Sequence, residues 1–270
     1  MDLPAFSVVV PTFNEEAGIG AVLGRLLAHV ALLRARYAID VVVVDDGSGD
    51  RTLEALHKFS ADSDAGLTIV AHERNAGLVA AMRTGAAAAK SDTVVFLDAD
   101  LSYSPEILEP LVLARNRGSA AAALASPYMR GGRVANVPFV RLAASVGANW
   151  ILTRCARGRL HTFTGMVRAY DRAAFLAIGE RAYVGEFNAW AVAALVADGK
   201  PVVEIPAALI WPVERYASPS RMTVRDFWTR LVLVAESARV INDAFSRERP
   251  QVGTLVLSGR TSSPFSPKPR

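Results

Sequence analysis

Thr93-Val-Val-Phe-Leu-Asp-Ala-Asp-Leu-Ser102 is a short apolar run that ends in two carboxylates one residue apart, and its reading decides the fold. Thr93 to Leu97 carry no charge and are rich in β-branched and aromatic side chains, as in a strand buried on both faces of a sheet. Carboxylates belong at the end of such a strand, and in open α/β sheets ligands bind outside the carboxyl ends of the strands. Asp98 and Asp100 therefore stand where a ligand would sit, and alternation along extended chain points both to the same side. Two hard oxygen donors so placed suit Mg²⁺ or Mn²⁺, which keep several waters and also bind substrate phosphates. The competing reading is a solvated strand end with a helix cap, because Ser104-Pro105-Glu106 opens a helix with a capping residue and a proline.

Upstream, Phe6 to Val10 is a compact apolar strand closed by Pro11. After Thr12-Phe13-Asn14-Glu15-Glu16, Ile19, Val22, Leu23, Leu26, Leu27 and Val30 recur at helical spacing, with Asn14 as the expected cap and the glutamates at the helix's positive end. Asp40 to Val44 is a second strand, ended by Asp45-Asp46-Gly47-Ser48, and Leu67 to Ala71 a third, followed by Arg74-Asn75-Ala76-Gly77 and an alanine-rich helix to Ala89. Alternating strands and helices predict right-handed βαβ units and an α/β fold with a mostly parallel sheet. The polar clusters at the strand ends gather on one edge, which is the candidate site.

Downstream the pattern is less regular. Helices are expected at Glu106 to Arg117 and Glu186 to Asp198, and strands at Ser119 to Ser126 and Pro201 to Ile205. From Val137 to Arg157, Phe139, Ala143, Val146 and Trp150 form one apolar stripe, with Arg141, Arg154 and Arg157 elsewhere. Such a helix either lies in a membrane interface or packs on the sheet, and periodicity does not separate the two. A long amphipathic helix starts at Thr223, and the chain from Pro250 has the composition of a disordered tail. The expected organisation is a main domain over 1–222, a C-terminal helix over 223–249 and the tail over 250–270.

With 270 residues and 51% hydrophobic composition the chain can bury a substantial core. The single cysteine, Cys155, excludes intrachain disulfides and a cysteine-built zinc site. No signal segment is visible and no apolar run reaches the roughly 20 residues needed to span a bilayer, so a cytoplasmic protein, peripheral at the membrane, is expected. The net charge of +4 suits a phosphate-rich ligand or an anionic lipid surface. No basic stripe with interleaved aromatics points to nucleic acid.

Val8-Val-Val-Pro-Thr-Phe-Asn-Glu15, Val44-Asp-Asp-Gly-Ser-Gly-Asp-Arg-Thr52, Asn75-Ala-Gly77 and Leu97-Asp-Ala-Asp-Leu101 together resemble the nucleotide-sugar half of family 2 glycosyltransferases of the GT-A fold. Ser126-Pro-Tyr-Met-Arg-Gly-Gly132, Thr164-Gly-Met-Val-Arg-Ala-Tyr170 and Arg215-Tyr-Ala-Ser-Pro-Ser-Arg221 are similar to the dolichyl- or polyprenyl-phosphate mannose synthase branch. The resemblance implies a GDP- or UDP-sugar donor of mannose or glucose type and a polyprenyl phosphate acceptor. It places Pro11, Phe13, Glu15 and Asp46 around the base and ribose, and Asp98 and Asp100 at the metal and diphosphate. Ser102, on the donor side, stands where glutamine is common, Pro127 where arginine is common, and His161 where an aspartate is usual. The resemblance assigns the acceptor phosphate to Arg141, Ser145, Arg215 and Arg221, with Arg130 as a replacement for the arginine missing at Pro127, and a catalytic role to Arg215 beside Asp98 and Asp100. His161 either binds metal or phosphate or is a hydrogen-bonded support.

The residues carry a reading of their own. Asp46 ends a strand and can accept hydrogen bonds from the N–H edge of guanine or uracil, whereas Asp45 reads as a solvated turn residue. A phosphate acceptor is already ionised, so arginines that position it can replace a general base, and direct attack inverts the anomeric centre. A hydroxyl acceptor favours a carboxylate base, for which Glu186 is the candidate. A third reading is a non-catalytic nucleotide-sugar-binding subunit serving a membrane partner. The helix after Thr223 is a further contact surface for the membrane, an anchoring subunit or a second copy.

Overall fold

The computed structural model describes residues 3–62, 66–117, 119–212, 224–246 and 252–254. The elements run β1 (Ala5–Thr12), α1 (Ile19–Leu33), β2 (Ala38–Asp45), α2 (Thr52–Asp62), β3 (Leu67–Ala71), α3 (Leu78–Ala88), β4 (Thr93–Phe96), α4 (Leu108–Arg117), β5 (Ala122–Ser126) and β6 (Arg133–Ala135). They continue with α5 (Phe139–Cys155), β7 (Arg168–Asp171), α6 (Arg172–Gly179), α7 (Phe187–Ala197), β8 (Val202–Pro206), β9 (Ala208–Ile210), α8 (Val224–Ser246) and β10 (Val252–Thr254). The main sheet has the order β10-β8-β5-β7-β4-β1-β2-β3, and β6 pairs with β9 in a small second sheet. Among the described strands only β7 runs antiparallel, against both β4 and β5.

Valine-rich strands occupy the centre because both of their faces are covered. Val9, Val42, Val44 and Phe96 point into a core shared with α3, α6 and α7, while Val8, Val10, Val43 and Val95 point into a second core shared with α1 and α4. The period of two along each strand thus divides one apolar run between two cores. Helix α3 lies close on β1 at Gly85, where an added Cβ would stand 2.2 Å from Val9 Cγ1.

Several local expectations differ from the structure. β1 continues through Pro11 to Thr12, past the end of its register with β4 at Val9, where the N–H that proline lacks no longer interrupts that ladder. Asn14 does not cap α1, whose N-cap is Gly18. It takes φ 55° and accepts from Gly49 N–H at 2.9 Å, tying the β1–α1 loop to the β2–α2 loop. Glu16 pairs with Arg51 rather than with the helix end. Val252 to Thr254, within the stretch read as a tail, add a parallel strand beside β8. Helix α8 packs on α5 and α7 and buries Ile241 and Phe245 in the first core, so it joins the body of the fold.

The stripe on α5 faces outward. Phe139, Val146 and Trp150 are 81%, 44% and 59% exposed, while Asn149 and Leu152 form the buried side. The alternative of packing against the sheet does not hold for these residues. Arg154 lies over the Trp150 ring at 4.5 Å from its centroid, so the exposed face is both apolar and basic. Among the described residues no helix is long and apolar enough to cross a membrane.

Candidate active site

The last ladder bond at the end of β4 is Leu97 N–H to Val9 carbonyl, 3.0 Å. The chain then turns instead of running on: Leu101 N–H donates to Asp98 carbonyl at 3.1 Å, and Leu101 takes φ 49°. Asp98 and Asp100 therefore reach the same space through a turn, not through strand alternation. Ser102 ties the pair together, its N–H donating to Asp100 Oδ1 at 2.8 Å and its hydroxyl to Asp98 Oδ2 at 3.3 Å. The turn is anchored to the small second sheet by Ile210 N–H to Ser102 carbonyl, 2.8 Å, and by a bridge from Tyr103 to Leu209. Burial, and then the charge of Asp98, hold the Tyr103 phenol protonated far above its ordinary range.

A cleft of about 470 Å³ opens in front of this turn. Pro11, Phe13 and Glu15 line it from the end of β1; Asp98, Asp100 and Ser102 from the acidic turn; Ser145 from α5; and Glu186 and Asn188 from the start of α7. A second cavity of about 310 Å³ shares Tyr128, Ser145, Thr164, Glu186 and Trp211 with the first and extends between α5 and α8, where Val137, Ala144, Ala148, Leu233 and Val234 make it apolar. Arg141 lines this second cavity, its guanidinium 5.0 Å from the Trp211 ring centroid. Ser145 stands where the two meet, its hydroxyl 2.7 Å from Tyr128 OH.

Other residues singled out in the sequence stand elsewhere. Arg130 is exposed on its turn and lines neither cavity. Arg215 and Arg221 lie outside the described residues. His161 lines neither cavity; its Nδ1 lies 2.5 Å from Oε1 of the fully buried Glu204, whose other oxygen accepts the His161 N–H at 2.9 Å. Asp46 does not line the cleft either. Its carboxylate accepts from Ala76 N–H at 2.9 Å, from Gly77 N–H at 2.8 Å and meets His72 Nδ1 at 2.7 Å. Family resemblance and its strand-end position both made it a base reader; in the folded chain the 72–77 loop occupies that carboxylate. Gly47, at φ +65°, lets the same loop approach, since an added Cβ would lie 2.3 Å from the Arg74 carbonyl carbon. Asp45 is 2% exposed rather than solvated, with Ser48 N–H and hydroxyl bonded to it.

Glu186 caps α7 by accepting Asn188 N–H at 2.9 Å. Burial raises its carboxyl above the ordinary range, against the opposing charge of Arg168 and the helix amides. Helix α8 fixes this corner from behind, with Ser237 Oγ accepting Glu186 N–H at 2.9 Å and Glu236 accepting Gly185 N–H at 3.1 Å. Tyr128 and Thr164 fall within stretches that carry the resemblance but have no role assigned by it, and Tyr103 and Asn188 are not singled out in the sequence. Of these last two, Asn188 carries a local signal, as a polar residue inside the apolar run Phe187 to Ala197.

The donor set fits a hard divalent ion. Among the described residues no group of three or more His, Cys, Asp or Glu is placed to close around a metal, so Asp98 and Asp100 offer an open pair of carboxylates. That composition suits Mg²⁺ or Mn²⁺, whose remaining positions go to water and phosphate oxygens, and not a closed structural site.

A mostly parallel open sheet with a carboxylate pair just past a central strand, facing a cleft, is the architecture of GT-A glycosyltransferases. The chain belongs to glycosyl transferase family 2, whose model matches residues 7–179. A dolichol-phosphate mannosyltransferase of Pyrococcus furiosus is 37% identical over 142 residues, 53% of this chain and 38% of that protein. An undecaprenyl-phosphate 4-deoxy-4-formamido-L-arabinose transferase of Aeromonas hydrophila is 39% identical over 117 residues, 43% of this chain and 35% of that one. The matched stretch is thus well under half the length of either relative. Among solved structures, a mannosyltransferase from Pyrobaculum calidifontis in complex with GDP-Man and Mn²⁺ superposes with TM-score 0.57 at 18% identity, covering 90% of this chain and 74% of the other. S. aureus TarS 1-349 in complex with UDP-GlcNAc gives 0.56 at 19% identity, covering 91% and 72%. These structural likenesses establish the shared fold.

Proposed function

We propose that the protein is an inverting, metal-dependent glycosyltransferase that moves a mannose- or glucose-type sugar from a GDP- or UDP-sugar to a polyprenyl phosphate at a membrane surface. The observation that carries this reading is the continuity between two cavities, one bearing Asp98 and Asp100 and the other bearing Arg141 among apolar side chains of α5 and α8. The relatives named for dolichol-phosphate and undecaprenyl-phosphate support it. Pro11, Phe13 and Glu15 flank the end of the cleft where the base and ribose are received. Bound to Asp98 and Asp100, Mg²⁺ or Mn²⁺ supplies neutralisation of the charge that builds on the departing diphosphate. Arg141 orients the acceptor phosphate, with Arg215 and Arg221 assigned to the same task by family position. Because a phosphate monoester has its second pKa at about 6, it attacks without a general base.

The α5 stripe fits the same reading, since a polyprenyl tail must be met at the bilayer, and Phe139, Val146 and Trp150 beside Arg154 form an interfacial face. Liposome flotation tests this. Wild type is expected to float with anionic vesicles containing polyprenyl phosphate, and Phe139→Glu and Trp150→Glu are each expected to weaken binding about tenfold or more, from loss of roughly 1.5–3 kcal/mol of apolar burial. Unchanged flotation of a folded double variant contradicts the assignment of this face.

The acceptor class is tested by comparing polyprenyl phosphate with the corresponding alcohol and with sugar hydroxyls, in wild type and Arg141→Gln. Transfer to the phosphate alone, reduced mainly for that acceptor by Arg141→Gln, is the expected result. Equal transfer to an uncharged hydroxyl contradicts the phosphate reading. It favours instead a hydroxyl-directed enzyme with Glu186 as base, the reading that Glu186's raised carboxyl also suits.

A further inference from the structure

We propose that the Tyr103 hydroxyl donates a hydrogen bond to the sugar-bearing phosphate of the nucleotide-sugar and so holds the leaving diphosphate beside the metal; the inference rests on the glycosyl-transfer reading and deepens it. Tyr103 is 4% exposed and its ring lies in the second core, yet it lines the cleft. Its hydroxyl makes no hydrogen bond among the described residues. It is also not one of the polar atoms that are both unbonded and sealed from solvent, so it keeps surface toward the cleft. Gly165 locates it on the cleft wall: an added Cβ there would lie 3.8 Å from Tyr103 OH, and Gly165 lines the cleft as well. A buried tyrosine usually finds a partner for its O–H, so one left open in a cleft is set to receive a ligand atom.

The phenol stands on a fixed support. Ser102 carbonyl accepts from Ile210 N–H at 2.8 Å, and Tyr103 itself bridges to Leu209 in the small second sheet. The polar groups near the hydroxyl are engaged elsewhere. Ser102 hydroxyl donates to Asp98, and Tyr128 OH meets Ser145 Oγ at 2.7 Å. The fully buried Arg168 donates to Phe163 carbonyl at 2.6 Å, Asn188 carbonyl at 2.7 Å and Tyr170 OH at 3.1 Å. Burial, and then the charge of Asp98, keep the phenol protonated, so its O–H is a donor at any working pH.

Charge and position select the ligand atom. Asp98 and Asp100 are acceptors, so an ionised phosphate reaches this wall only through a divalent ion or a neutral O–H or N–H. Tyr103 supplies the O–H without a cation that would compete with the ion for the two carboxylates. It lines the first cavity and not the second, which holds Arg141, so it serves the diphosphate and not the acceptor phosphate. Its charged and phenolic neighbours are Asp98 and Tyr128, and Tyr128 also lines the second cavity, so the hydroxyl stands toward the junction of the two. With base and ribose received near Pro11, Phe13 and Glu15, that is the place of the outer, sugar-bearing phosphate. Charge on this phosphate grows as the sugar leaves, and a hydrogen bond to a charged acceptor is the stronger kind, so the bond tightens during transfer.

The test is calorimetric titration of the full chain in Mn²⁺ with GMP, GDP and GDP-mannose and with UMP, UDP and UDP-glucose, using Tyr103→Phe, which keeps the ring and removes the hydroxyl. In the series that wild type binds best, Tyr103→Phe is expected to lose about tenfold in affinity for the diphosphate and the nucleotide-sugar, and less than about twofold for the monophosphate. Its melting temperature is expected to stay within about 2 °C of wild type, because no bond within the chain is lost. The kcat of transfer is expected to fall about tenfold or more, with the KM for polyprenyl phosphate unchanged. A loss for the nucleotide-sugar alone would assign the hydroxyl to the sugar, a change in acceptor KM alone to the acceptor, and equal losses that include the monophosphate to a disturbed nucleotide site. Each overturns the proposal, as does a Tyr103→Phe that binds and turns over normally. In all of these wild type still binds and transfers, so the transfer reading stands. Wild type that binds no nucleotide at all sinks that reading and this inference with it.

Discussion

Asp98→Ala and Asp100→Ala are expected to lower sugar transfer by about a thousandfold or more, because electrostatic stabilisation of a leaving diphosphate through a metal is worth several kcal/mol and each 1.36 kcal/mol is a factor of ten. The fold should survive both changes. β4 ends at Phe96, before either residue, and the turn that follows is held by backbone bonds from Leu97, Leu101 and Ile210. Asp98→Ala removes a 3.3 Å bond from Ser102 Oγ, and Asp100→Ala removes the 2.8 Å bond from Ser102 N–H, a loss of about 1 kcal/mol in stability. Initial rates of transfer with matched thermal melts check this. Near-normal turnover by folded Asp98→Ala in the presence of a chelator would rule out the metal assignment.

Asp46→Ala is expected to destabilise the protein by about 3–5 kcal/mol, a loss seldom reached by a single substitution outside an apolar core. The carboxylate is buried, and its removal strips the acceptor from Ala76 N–H, Gly77 N–H and His72 Nδ1 together. Each is then left without its buried partner, at about 1–3 kcal/mol apiece, less for the half-exposed end of the loop that water can reach. Asp46→Asn keeps one acceptor oxygen and should fall between wild type and Asp46→Ala. Donor affinity should fall as well, although Asp46 does not line the cleft, because the clamped loop leads into α3, whose first residue, Leu78, does. Urea unfolding at neutral pH decides the matter. A loss below about 1 kcal/mol would mean that Asp46 does not hold the loop.

Asp46 also marks how far the sequence can be read. Its position at the end of β2 is legible from the valines before it, because burial on both faces leaves an uninterrupted apolar run. Its partners are not, since His72, Ala76 and Gly77 arrive from beyond α2 and β3. The acidic turn behaves similarly: Asp98 and Asp100 are legible as a site from a strand that ends in charge, but the route that brings them together depends on Leu101 at φ 49°, which no periodicity encodes. On α5 the stripe of Phe139, Val146 and Trp150 is plain in the sequence, whereas the side it faces is fixed by Asn149, which donates to Thr164 Oγ1 and Ser145 carbonyl, each at 2.9 Å, and so turns the opposite face inward. The antiparallel β7 and the strands β6, β9 and β10 are short and defined by distant partners, so local pattern gives little notice of them. Arg168 falls within a motif of the Thr164 to Tyr170 stretch, but its complete burial beneath Asn188 appears only when β7 inserts between β4 and β5.

A nucleotide-sugar diphosphate held in the cleft through a divalent ion at Asp98 and Asp100 is the centre of the proposed function. The most direct measurement is calorimetric titration of the full chain with GDP-mannose and UDP-glucose, first in Mn²⁺ or Mg²⁺ and then after chelation. Saturable binding of at least one donor is expected, lost on chelation, restored with the metal, and absent from Asp98→Ala. Donor binding of equal strength with and without metal, or retained in full by Asp98→Ala, would contradict it.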